Sequence, residues 1–529
     1  MTIYDELPYP VLSYSRTHPA ELATLATLHG MRPAPVQRCR VLEVGCARGG
    51  NIIPMALGLP GSSFVGIDLS RRQIEEGRRY VERLGLTNLR LEARDLMDFD
   101  DSFGEFDYVI AHGLYSWVPP AVRDRLFDVC RRQLAPQGVA FISFNAYPGW
   151  RAMSAIRDML LYRVRGIEAP RLRAEKAREF LALLSDVAGK SVGIASELPQ
   201  AYARFLQKTP GFAAQGHDDY LLYDLVAETN DPVYFHEFAA QAARHGLQCL
   251  CDSDFRASLL HGLAPDAVER VGSMAGDRIE REQYCDFLSN RMFRQSLVCR
   301  AGLPVGFEPG VEALHAFRYG SSASAEGTVG VGEVAVQRFV SSDQASLSTD
   351  HPLSKAALHH LIGLRPHTCT FANLLEAASR RLNIGEPDPA SADDDIRMLA
   401  SNLLSGFTHS DRLVSLSVFE PDFADTVSAH PLASAWARMQ AEWDASVTTL
   451  RHERHVLAPH ERILLPLLDG RRDVPALIEA LLAGPVASGE LVLKYQDRPV
   501  SDPAELRGLL QDGVEKALAA FAAAPLLLA

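Results

Sequence analysis

Three features are missing from this sequence, and each absence excludes a class of protein. None of its eight cysteines has the CxxC spacing, so we expect neither a zinc knuckle nor a disulfide framework. No apolar run approaches the ~18 residues that a membrane-spanning helix needs. The first ten residues carry Asp5 and Glu6 where a secretory signal would carry positive charge. We therefore expect a cytoplasmic protein with reduced thiols and no membrane insertion.

Positive charge is also scarce. The chain has 53 basic and 66 acidic residues, a formal net charge of −13, and no lysine precedes Lys176. Binding along nucleic-acid phosphates needs clustered Lys and Arg, so we expect no nucleic-acid partner. Histidines and acids do cluster in the middle of the chain, but HEFAA is not the HExxH zinc motif, and we expect no metal site. That set comprises His217, Asp218, Asp219, His236, Glu237 and His245.

Short apolar runs alternate with helical patterns from Val41 to Phe144. Strand and helix in repeated alternation predict an α/β fold with a doubly wound parallel sheet. After Arg151 the pattern becomes almost wholly helical, and the Gly/Ser-rich GSSASAEGTVGVGE marks a hairpin or linker. We predict an α/β domain with an N-terminal lid at 1–165, a separate helical middle domain at 166–305, a β hairpin or linker at 306–350, and a helix-rich C-terminal domain at 351–529.

A glycine turn follows the first predicted strand in RVLEVGCARGGNIIPMA. The dinucleotide fingerprint GxGxxG needs a middle glycine so that the backbone can approach a pyrophosphate, and that position is Ala47 here. Glu43 instead stands two residues before Gly45, and an acid at a strand end suits a ligand with a cationic amino group. The predicted cofactor is therefore S-adenosylmethionine.

Acids also end the next two predicted strands. Asp68 lies about as far beyond the glycines as an acid that accepts both ribose hydroxyls should, and Asp95 can receive the adenine amino group. Three acids at three successive strand ends indicate a nucleoside site far more specifically than a glycine turn alone. The predicted cofactor-binding residues are Glu43, Gly45, Cys46, Gly49, Asp68, Leu69, Asp95, Leu96 and His112.

These motifs carry a family resemblance. In this order, LEVGCARGG, GIDLS, RDL, FDYVIAHGLYSWVP and FNAYPGW resemble class I methyltransferases followed by a methyltransferase regulatory domain, a group that includes the rickettsial lysine methyltransferases of outer membrane protein B. HDDYLLYDLVAETNDPVYFHEFAAQAARHGLQCL and ERILLPLLDGRRDVPALIEALL continue the resemblance. It implies a Rossmann-like methyltransferase sheet, a helical regulatory domain, a winged-helix-like C-terminal domain and a homodimer.

The loops after the fourth and fifth predicted strands should face the methyl acceptor, because ligands of open α/β sheets bind outside the carboxyl ends of the strands. These loops contain His112 and Tyr115, and Asn145 and Tyr147, which we predict as catalytic residues. His112 would contact the cofactor or shuttle a proton; the alternative is a loop histidine bonded to backbone. The tyrosines would offer hydroxyls to an acceptor amine; the alternative is that they only pack.

Two segments outside the sheet also receive roles. A lid over the cofactor would explain Tyr4, Tyr14 and His18 near the N-terminus, and a packing arm is the alternative. The cofactor acids and strand-end loops are complete by Trp150. We therefore expect everything beyond about Arg165 to select the substrate and not to perform the chemistry.

Three functions are compatible with these residues. The first, implied by the resemblance and by the long chain beyond the first domain, is a protein lysine N-methyltransferase acting on a protein or peptide. No arginine occurs in 112–120 or 145–150, which favours a nitrogen acceptor over a carboxylate. The second is a methyltransferase for a peptide natural product or a small metabolite. The third is a non-catalytic regulator that binds S-adenosylmethionine.

Overall fold

The computed structural model of this chain describes residues 9–190, 204–206, 225–254, 256, 265–306, 311–383, 389–495, 498–500 and 502–529. Its strands are β1 (Arg40–Val44), β2 (Ser63–Asp68), β3 (Leu89–Ala93), β4 (Phe106–Ala111), β5 (Leu134–Asn145), β6 (Leu247–Asp252), β7 (Phe293–Arg300), β8 (Arg318–Gly320), β9 (Ser324–Glu326), β10 (Gln337–Val340), β11 (Ser346–Thr349), β12 (Cys369–Thr370), β13 (Ser415–Ser417), β14 (Ser446–Thr448), β15 (Arg454–Val456), β16 (Lys494–Tyr495) and β17 (Arg498–Pro499). Its helices are α1 (Pro19–Leu28), α2 (Ile52–Gly58), α3 (Arg71–Arg83), α4 (Pro120–Gln133), α5 (Trp150–Val164), α6 (Pro170–Lys190), α7 (Phe235–Arg244), α8 (Pro265–Met274), α9 (Arg278–Ser289), α10 (Pro352–Leu364), α11 (Phe371–Arg381), α12 (Pro389–His409), α13 (Ala435–Ala441), α14 (Pro459–Leu464), α15 (Val474–Leu481) and α16 (Pro503–Ala523).

Seven strands form the central sheet, in the spatial order β3-β2-β1-β4-β5-β7-β6. The first five run parallel; Val41 of β1, for example, pairs with Phe64 of β2 on one side and Tyr108 of β4 on the other. The order reverses between β1 and β4, and ligands of such sheets bind outside the carboxyl ends of the strands at this switch point. The predicted fold class is confirmed, and the loops after β1 and β4 lie at that point.

The last two strands of the sheet come from the middle of the chain. β7 pairs antiparallel with β5, where Leu297 lies opposite Phe141, and β6 pairs antiparallel with β7. The prediction of a separate, helical segment at 166–305 therefore missed two strands that extend the sheet of the first domain. The cause is local, because a short apolar run such as LQCLCD does not distinguish a strand from a buried helical segment by its periodicity.

The C-terminal part of the chain packs in two places. Residues from Phe317 onward share a hydrophobic core with α1, and the backbone N–H of Val418 donates to Oγ1 of Thr24 on α1 at 3.0 Å. A second hydrophobic core is formed by the four helices α13, α14, α15 and α16. The apolar tail, Leu526 and Leu527, is buried in this core. The antiparallel hairpin of β14 and β15 belongs to this second part. Across the described ranges, no helix is both long and apolar enough to cross a membrane.

A buried charge cluster joins the two middle strands to α9. Arg294 on β7 is fully buried, and its guanidinium lies 2.9 Å from Oε2 of Glu282 and 2.7 Å from Oδ2 of Asp286. Asp252, at the end of β6, lies 3.9 Å from the same guanidinium. Removing Arg294 is costly, because the buried carboxylates lose their central counter-charge and keep only Arg278 and Arg291 as cationic partners among the described residues.

Replacing Arg294 by Met should therefore lower the free energy of unfolding by ~3–5 kcal/mol. Arg338→Met is the control, since its ion pair with Glu326 is exposed on both sides and such pairs contribute ~0–1 kcal/mol. Urea denaturation followed by circular dichroism measures both variants. Equal losses in the two would contradict the role given to the buried cluster.

Candidate functional site

The glycine loop after β1 is held in a conformation that suits a ligand at the end of the strand. Gly45 and Gly49 have φ of 76° and 81°, and Ala47 between them also lies in the left-handed region at 49°. The N–H of Ala47 donates to Oδ2 of Asp68 at 2.9 Å, which ties the loop to the end of β2. Gly50 cannot carry a side chain, because a Cβ there would lie 2.8 Å from the backbone nitrogen of Leu12.

Glu43, at the end of β1, is a buried acid with one unsatisfied oxygen. Nδ2 of Asn51 donates to its Oε1 at 2.7 Å, whereas its Oε2 is buried and has no hydrogen-bond partner among the described residues. Burial raises the pKa of Glu43 from 4.5 to about 8. A buried polar atom without a partner is expensive in a folded protein, so this oxygen fits a site for a donor group of a ligand.

The other two predicted acids lie further along the same edge. Both carboxylate oxygens of Asp68 accept backbone N–H bonds, from Ala47 at 2.9 Å and from Ser70 at 2.8 Å. Asp95 is exposed, and its Oδ1 accepts the N–H of Met97 at 2.9 Å, which caps the short turn that follows β3. The parallel sheet therefore brings Glu43, Asp68 and Asp95 to one edge, as their positions at strand ends predict.

The apolar neighbours of these acids divide into exposed and buried side chains. Leu69 is 62% exposed beside Asp68, but Leu96 packs in the core and is only 6% exposed. The apolar side chain available next to Asp95 is that of Met97, which is 46% exposed. Leu96, like Cys46, can therefore meet a ligand only through its backbone, and its place in the site stays a prediction. In the turn that Asp95 caps, the side chain of Leu96 is buried in the core and that of Met97 is exposed to solvent.

Cys46 contributes its backbone to the loop and its side chain to the core. Its side chain is buried against Gly66 of β2, where a Cβ would lie 2.9 Å from Sγ. Burial raises the pKa of this thiol well above its ordinary value. The thiol is therefore protonated and shielded, and a ligand in the loop would meet the backbone of Cys46.

The N-terminal strap, residues 9–18, lies across the glycine loop. The carbonyl oxygen of Tyr9 accepts from Arg48 at 2.6 Å, and the N–H of Tyr14 donates to Oδ1 of Asn51 at 2.9 Å. His18 caps α1, because its Nδ1 accepts the N–H of Ala20 at 3.1 Å. Tyr4, the other residue of the predicted lid, lies outside the described residues.

His112, just after β4, lies in a cluster of rings. Its ring centroid is 4.0 Å from that of Tyr14 in the strap, 5.8 Å from Phe141 and 6.2 Å from Phe293. Its Nδ1 is buried and has no hydrogen-bond partner within the described part of the chain. Burial lowers the pKa of His112 to about 4, so the imidazole is neutral at physiological pH, able to accept a hydrogen bond but a weak base.

Two of the remaining predicted catalytic residues, Tyr115 and Tyr147, line a separate surface cavity. Tyr115 packs its ring in the core and donates its hydroxyl to Oε1 of Gln241 on α7. The Tyr147 ring lies 5.3 Å from that of Tyr234, and both line a surface cavity of about 550 Å³ together with Tyr115. Asn145 is buried, and its Nδ2 donates to Oδ1 of Asn230 at 3.2 Å. The structure thus groups Tyr115 with Tyr147, and His112 with Tyr14.

The histidines and acids of the middle segment have other partners. Nδ1 of His236 lies 3.0 Å from Oε1 of Gln283, and His245 lies 3.3 Å from a carboxylate oxygen of Asp124. Glu237 caps the helix on which it stands. The first three members of the set, 217–219, lie outside the described residues. In the part of the chain that the structure covers, no group of three or more His, Cys, Asp or Glu side chains is arranged to hold a metal ion.

One residue that reaches the site from the far end of the chain was not predicted from any motif. Nε2 of His452, in the turn between β14 and β15, lies 2.8 Å from Oδ1 of Asn51. Asn51 in turn holds Glu43. The prediction that everything beyond Arg165 serves only substrate selection is therefore incomplete, since a C-terminal side chain supports the predicted cofactor site.

Three family models match the chain. A methyltransferase domain matches residues 41–138, a predicted methyltransferase regulatory domain matches 217–300, and a PKMT C-terminal winged helix domain matches 430–526. The first covers the glycine loop and the loops after β2, β3 and β4. The third covers the hairpin that carries His452.

Whole-length relatives come from Rickettsia. Uncharacterized protein RP789 of Rickettsia prowazekii (strain Madrid E) is 34% identical over 519 residues, which covers 96% of this chain and 90% of that protein. The structure of PKMT2 from Rickettsia typhi is similar with a TM-score of 0.85 at 26% identity, covering 98% of this chain and 100% of that one. The same protein in complex with AdoHcy gives a TM-score of 0.85 at 26% identity, covering 99% and 100%.

These similarities agree with the geometry at the carboxyl edge of the sheet. A methyltransferase domain spans the predicted site, and a protein that matches this chain from end to end binds AdoHcy, the demethylated form of S-adenosylmethionine. The cofactor is S-adenosylmethionine, and an enzyme is favoured over a non-catalytic regulator. The chain belongs to the family of S-adenosylmethionine-dependent methyltransferases in which a methyltransferase domain is joined to a regulatory domain and a PKMT C-terminal winged helix domain.

Proposed function

We propose that this enzyme methylates the ε-amino group of lysine side chains in a protein or peptide. The observation that carries the proposal is the likeness to PKMT2, a protein lysine methyltransferase, over 98% of this chain. The loops at 112–120 and 145–150 contain no arginine, and an arginine would be the natural partner of a carboxylate acceptor. A nitrogen acceptor agrees with that composition.

We assign the amino-acid end of the cofactor to Glu43 and its nucleoside to the next two strand ends. A cationic amino group beside Oε2 of Glu43 would supply the missing hydrogen bond and favour the ionised carboxylate. Asp68 is assigned to the ribose hydroxyls and Asp95 to adenine, with the exposed side chains of Leu69 and Met97 as apolar contacts. When bound, S-adenosylmethionine supplies a methyl group on a positively charged sulfur.

On the acceptor side, we assign the ring cluster of His112, Tyr14 and Phe293. An amine that enters apolar surroundings loses its proton more readily than in water, because burial disfavours the charged form. The proton leaves to solvent before the acceptor is enclosed, and the neutral imidazole of His112 can accept a hydrogen bond from the amine N–H, which orients the nitrogen lone pair toward the methyl carbon. Tyr147 remains a candidate for orienting the acceptor, and the polar atoms of Tyr115 and Asn145 are engaged with Gln241 and Asn230.

A second candidate function is methylation of a peptide natural product or a small metabolite. It is favoured by the cavity of about 550 Å³ beside Tyr147, because small-molecule sites have volumes of roughly 300–1,000 Å³. The homodimer implied by the family resemblance remains a prediction for either function, and size-exclusion chromatography with light scattering tests it.

Methyl-labelled S-adenosylmethionine distinguishes these two functions. The enzyme is incubated with the labelled cofactor and a fractionated bacterial lysate, and label is followed in proteins and in small molecules. The proposal predicts label in proteins, released as methyllysine after acid hydrolysis. Label that enters only small molecules would contradict the proposal and favour the alternative.

Asp68→Ala should weaken cofactor binding by ~2–4 kcal/mol. The substitution removes a charged acceptor, and hydrogen bonds to charged groups contribute ~1.5–3 kcal/mol each. It also releases the N–H of Ala47, so the glycine loop loses its tie to β2. Titration calorimetry with AdoHcy measures the change, and Asp98→Ala, an exposed acid in the turn after β3, is the control. Unchanged affinity would remove Asp68 from the site.

The cofactor-free enzyme should lose stability as Glu43 ionises. Its pKa in the folded protein is raised from 4.5 to about 8, so its stabilising contribution is complete below pH 4.5 and is lost as the pH rises through 8. Glu43→Gln removes this group from titration. The melting temperature of Glu43→Gln, measured relative to wild type, should therefore rise between about pH 5.5 and about pH 8.5. A difference that is independent of pH would contradict the buried, protonated carboxyl.

Changes on the acceptor side should reduce turnover and leave cofactor affinity nearly intact. His112→Ala should lower kcat by about 10²-fold, because it removes the hydrogen-bond acceptor that orients the reacting nitrogen. Tyr147→Phe should lower kcat less, and Tyr115→Phe tests whether the hydroxyl bound to Gln241 takes part at all. Single-turnover kinetics and AdoHcy titration separate the two effects. If all three variants turned over at the wild-type rate, the acceptor-side assignment would fail.

A further inference from the structure

The turn between β14 and β15 is a rigid element of the C-terminal winged helix region. The N–H of Thr449 donates to the carbonyl of Glu453 at 2.8 Å, and the N–H of His452 donates to the carbonyl of Thr449 at 2.9 Å. His452 has φ of 62°, a left-handed conformation that is uncommon for residues other than glycine and in which histidine, asparagine and aspartate are enriched. Its side chain is nevertheless buried, at 3% exposure.

This turn docks on the segments that surround the cofactor site. Nε2 of His452 lies 2.8 Å from Oδ1 of Asn51, and the hydroxyl of Thr448 lies 3.0 Å from that of Ser13 in the strap. The ring of His452 also lies 5.2 Å from that of His18. Burial and the neighbouring His18 hold the pKa of His452 well below its ordinary value, so the imidazole is neutral.

The hydrogen-bond network assigns the donors and acceptors. The amide nitrogen of Asn51 donates to Glu43 at 2.7 Å and to the hydroxyl of Thr17 at 2.9 Å, so its amide oxygen must be the acceptor. That oxygen accepts the N–H of Tyr14, and Nε2 of His452 therefore carries the proton that points at Asn51. If the amide of Asn51 were rotated by 180°, its NH₂ group would face the N–H of Tyr14, which can only donate. Asn51 therefore keeps a donor on Oε1 of Glu43 and leaves Oε2 for a ligand.

We propose that His452 is a positioning residue through which the C-terminal winged helix region controls binding of the amino-acid end of the cofactor. The inference rests on the proposed role of Glu43 toward the cofactor amino group. His452 acts through Asn51, which orients Glu43, and the nucleoside end of the site does not depend on this relay. Because coupling between two sites is reciprocal, a bound amino acid end also stabilises the docked hairpin.

Two ligands separate positioning from a general structural effect. AdoHcy contains the amino-acid end, whereas 5′-methylthioadenosine has the same nucleoside and lacks it. His452→Asn keeps a residue that tolerates the left-handed conformation but shortens the side chain, so its amide does not reach Asn51. This variant should bind AdoHcy about tenfold more weakly, within the usual range of coupling effects, and should bind 5′-methylthioadenosine as wild type does.

Matched variants complete the experiment. His455→Asn makes the same substitution on β15 and should change neither affinity. Circular dichroism verifies the fold of each variant, and if His452→Asn does not fold, Thr448→Val removes the hydroxyl contact with Ser13 and should weaken AdoHcy selectively.

Two outcomes would overturn the proposal: equal weakening of both ligands, or no weakening of either. Glu43→Gln serves as the reference for the role on which the proposal rests. If it leaves AdoHcy affinity unchanged, the assignment of Glu43 fails and the relay fails with it. If Glu43→Gln weakens AdoHcy selectively but His452→Asn does not, only the relay is wrong. Neither result depends on the identity of the methyl acceptor.

Discussion

The side-chain amide of Asn51 is the constraint on which the predicted cofactor site depends. Its nitrogen donates to Glu43 and Thr17, and its oxygen accepts from Tyr14 and His452. These partners come from β1, the N-terminal strap and the C-terminal hairpin. A single buried amide therefore fixes how three separate segments meet. Because the group is buried, any partner that is lost leaves a polar atom without water to replace it.

Burial also determines the charges in the site before a ligand arrives. It raises the pKa of Glu43 to about 8 and lowers that of His112 to about 4, so both groups are largely neutral at physiological pH. A neutral His112 is suited to accept a hydrogen bond, although the burial that keeps it neutral also makes it a weak base. A protonated Glu43 becomes a carboxylate most readily beside a cation, because an opposite charge within a few ångströms favours the ionised form. The proposed pairing with a cofactor ammonium group follows from that preference.

The sequence was most informative where chemistry coincides with sheet topology. Alternation of strands and helices predicted the parallel sheet, and parallel strands bring their carboxyl ends to one edge, which accounts for Glu43, Asp68 and Asp95. It was least informative where a local pattern has two solutions or no pattern exists. The strands β6 and β7 were missed because short apolar runs also occur in buried helices. His452 was missed because no spacing rule connects residues 401 positions apart in the chain.

The residue patterns predicted S-adenosylmethionine as the cofactor, and the resemblance carried the assignment further, to methyltransferases with a regulatory domain and a winged-helix-like C-terminal domain. The structure adds a contact between two distant parts of the chain, the hydrogen bond between His452 and Asn51, which neither the motifs nor the resemblance indicated. The C-terminal region and the predicted cofactor site are therefore physically connected in this enzyme. A C-terminal region that contacts Asn51 can couple the cofactor site to whatever else that region binds.

Hydrogen–deuterium exchange measures that connection directly. Exchange is followed in the N-terminal strap and in the hairpin of β14 and β15, without ligand, with saturating AdoHcy and with saturating 5′-methylthioadenosine. If His452 couples the hairpin to the amino-acid end of the cofactor, AdoHcy slows exchange in the strap, the glycine loop and the hairpin, and 5′-methylthioadenosine leaves exchange in the hairpin unchanged. Protection by AdoHcy that is confined to the glycine loop, with the hairpin exchanging as in the free enzyme, would contradict it.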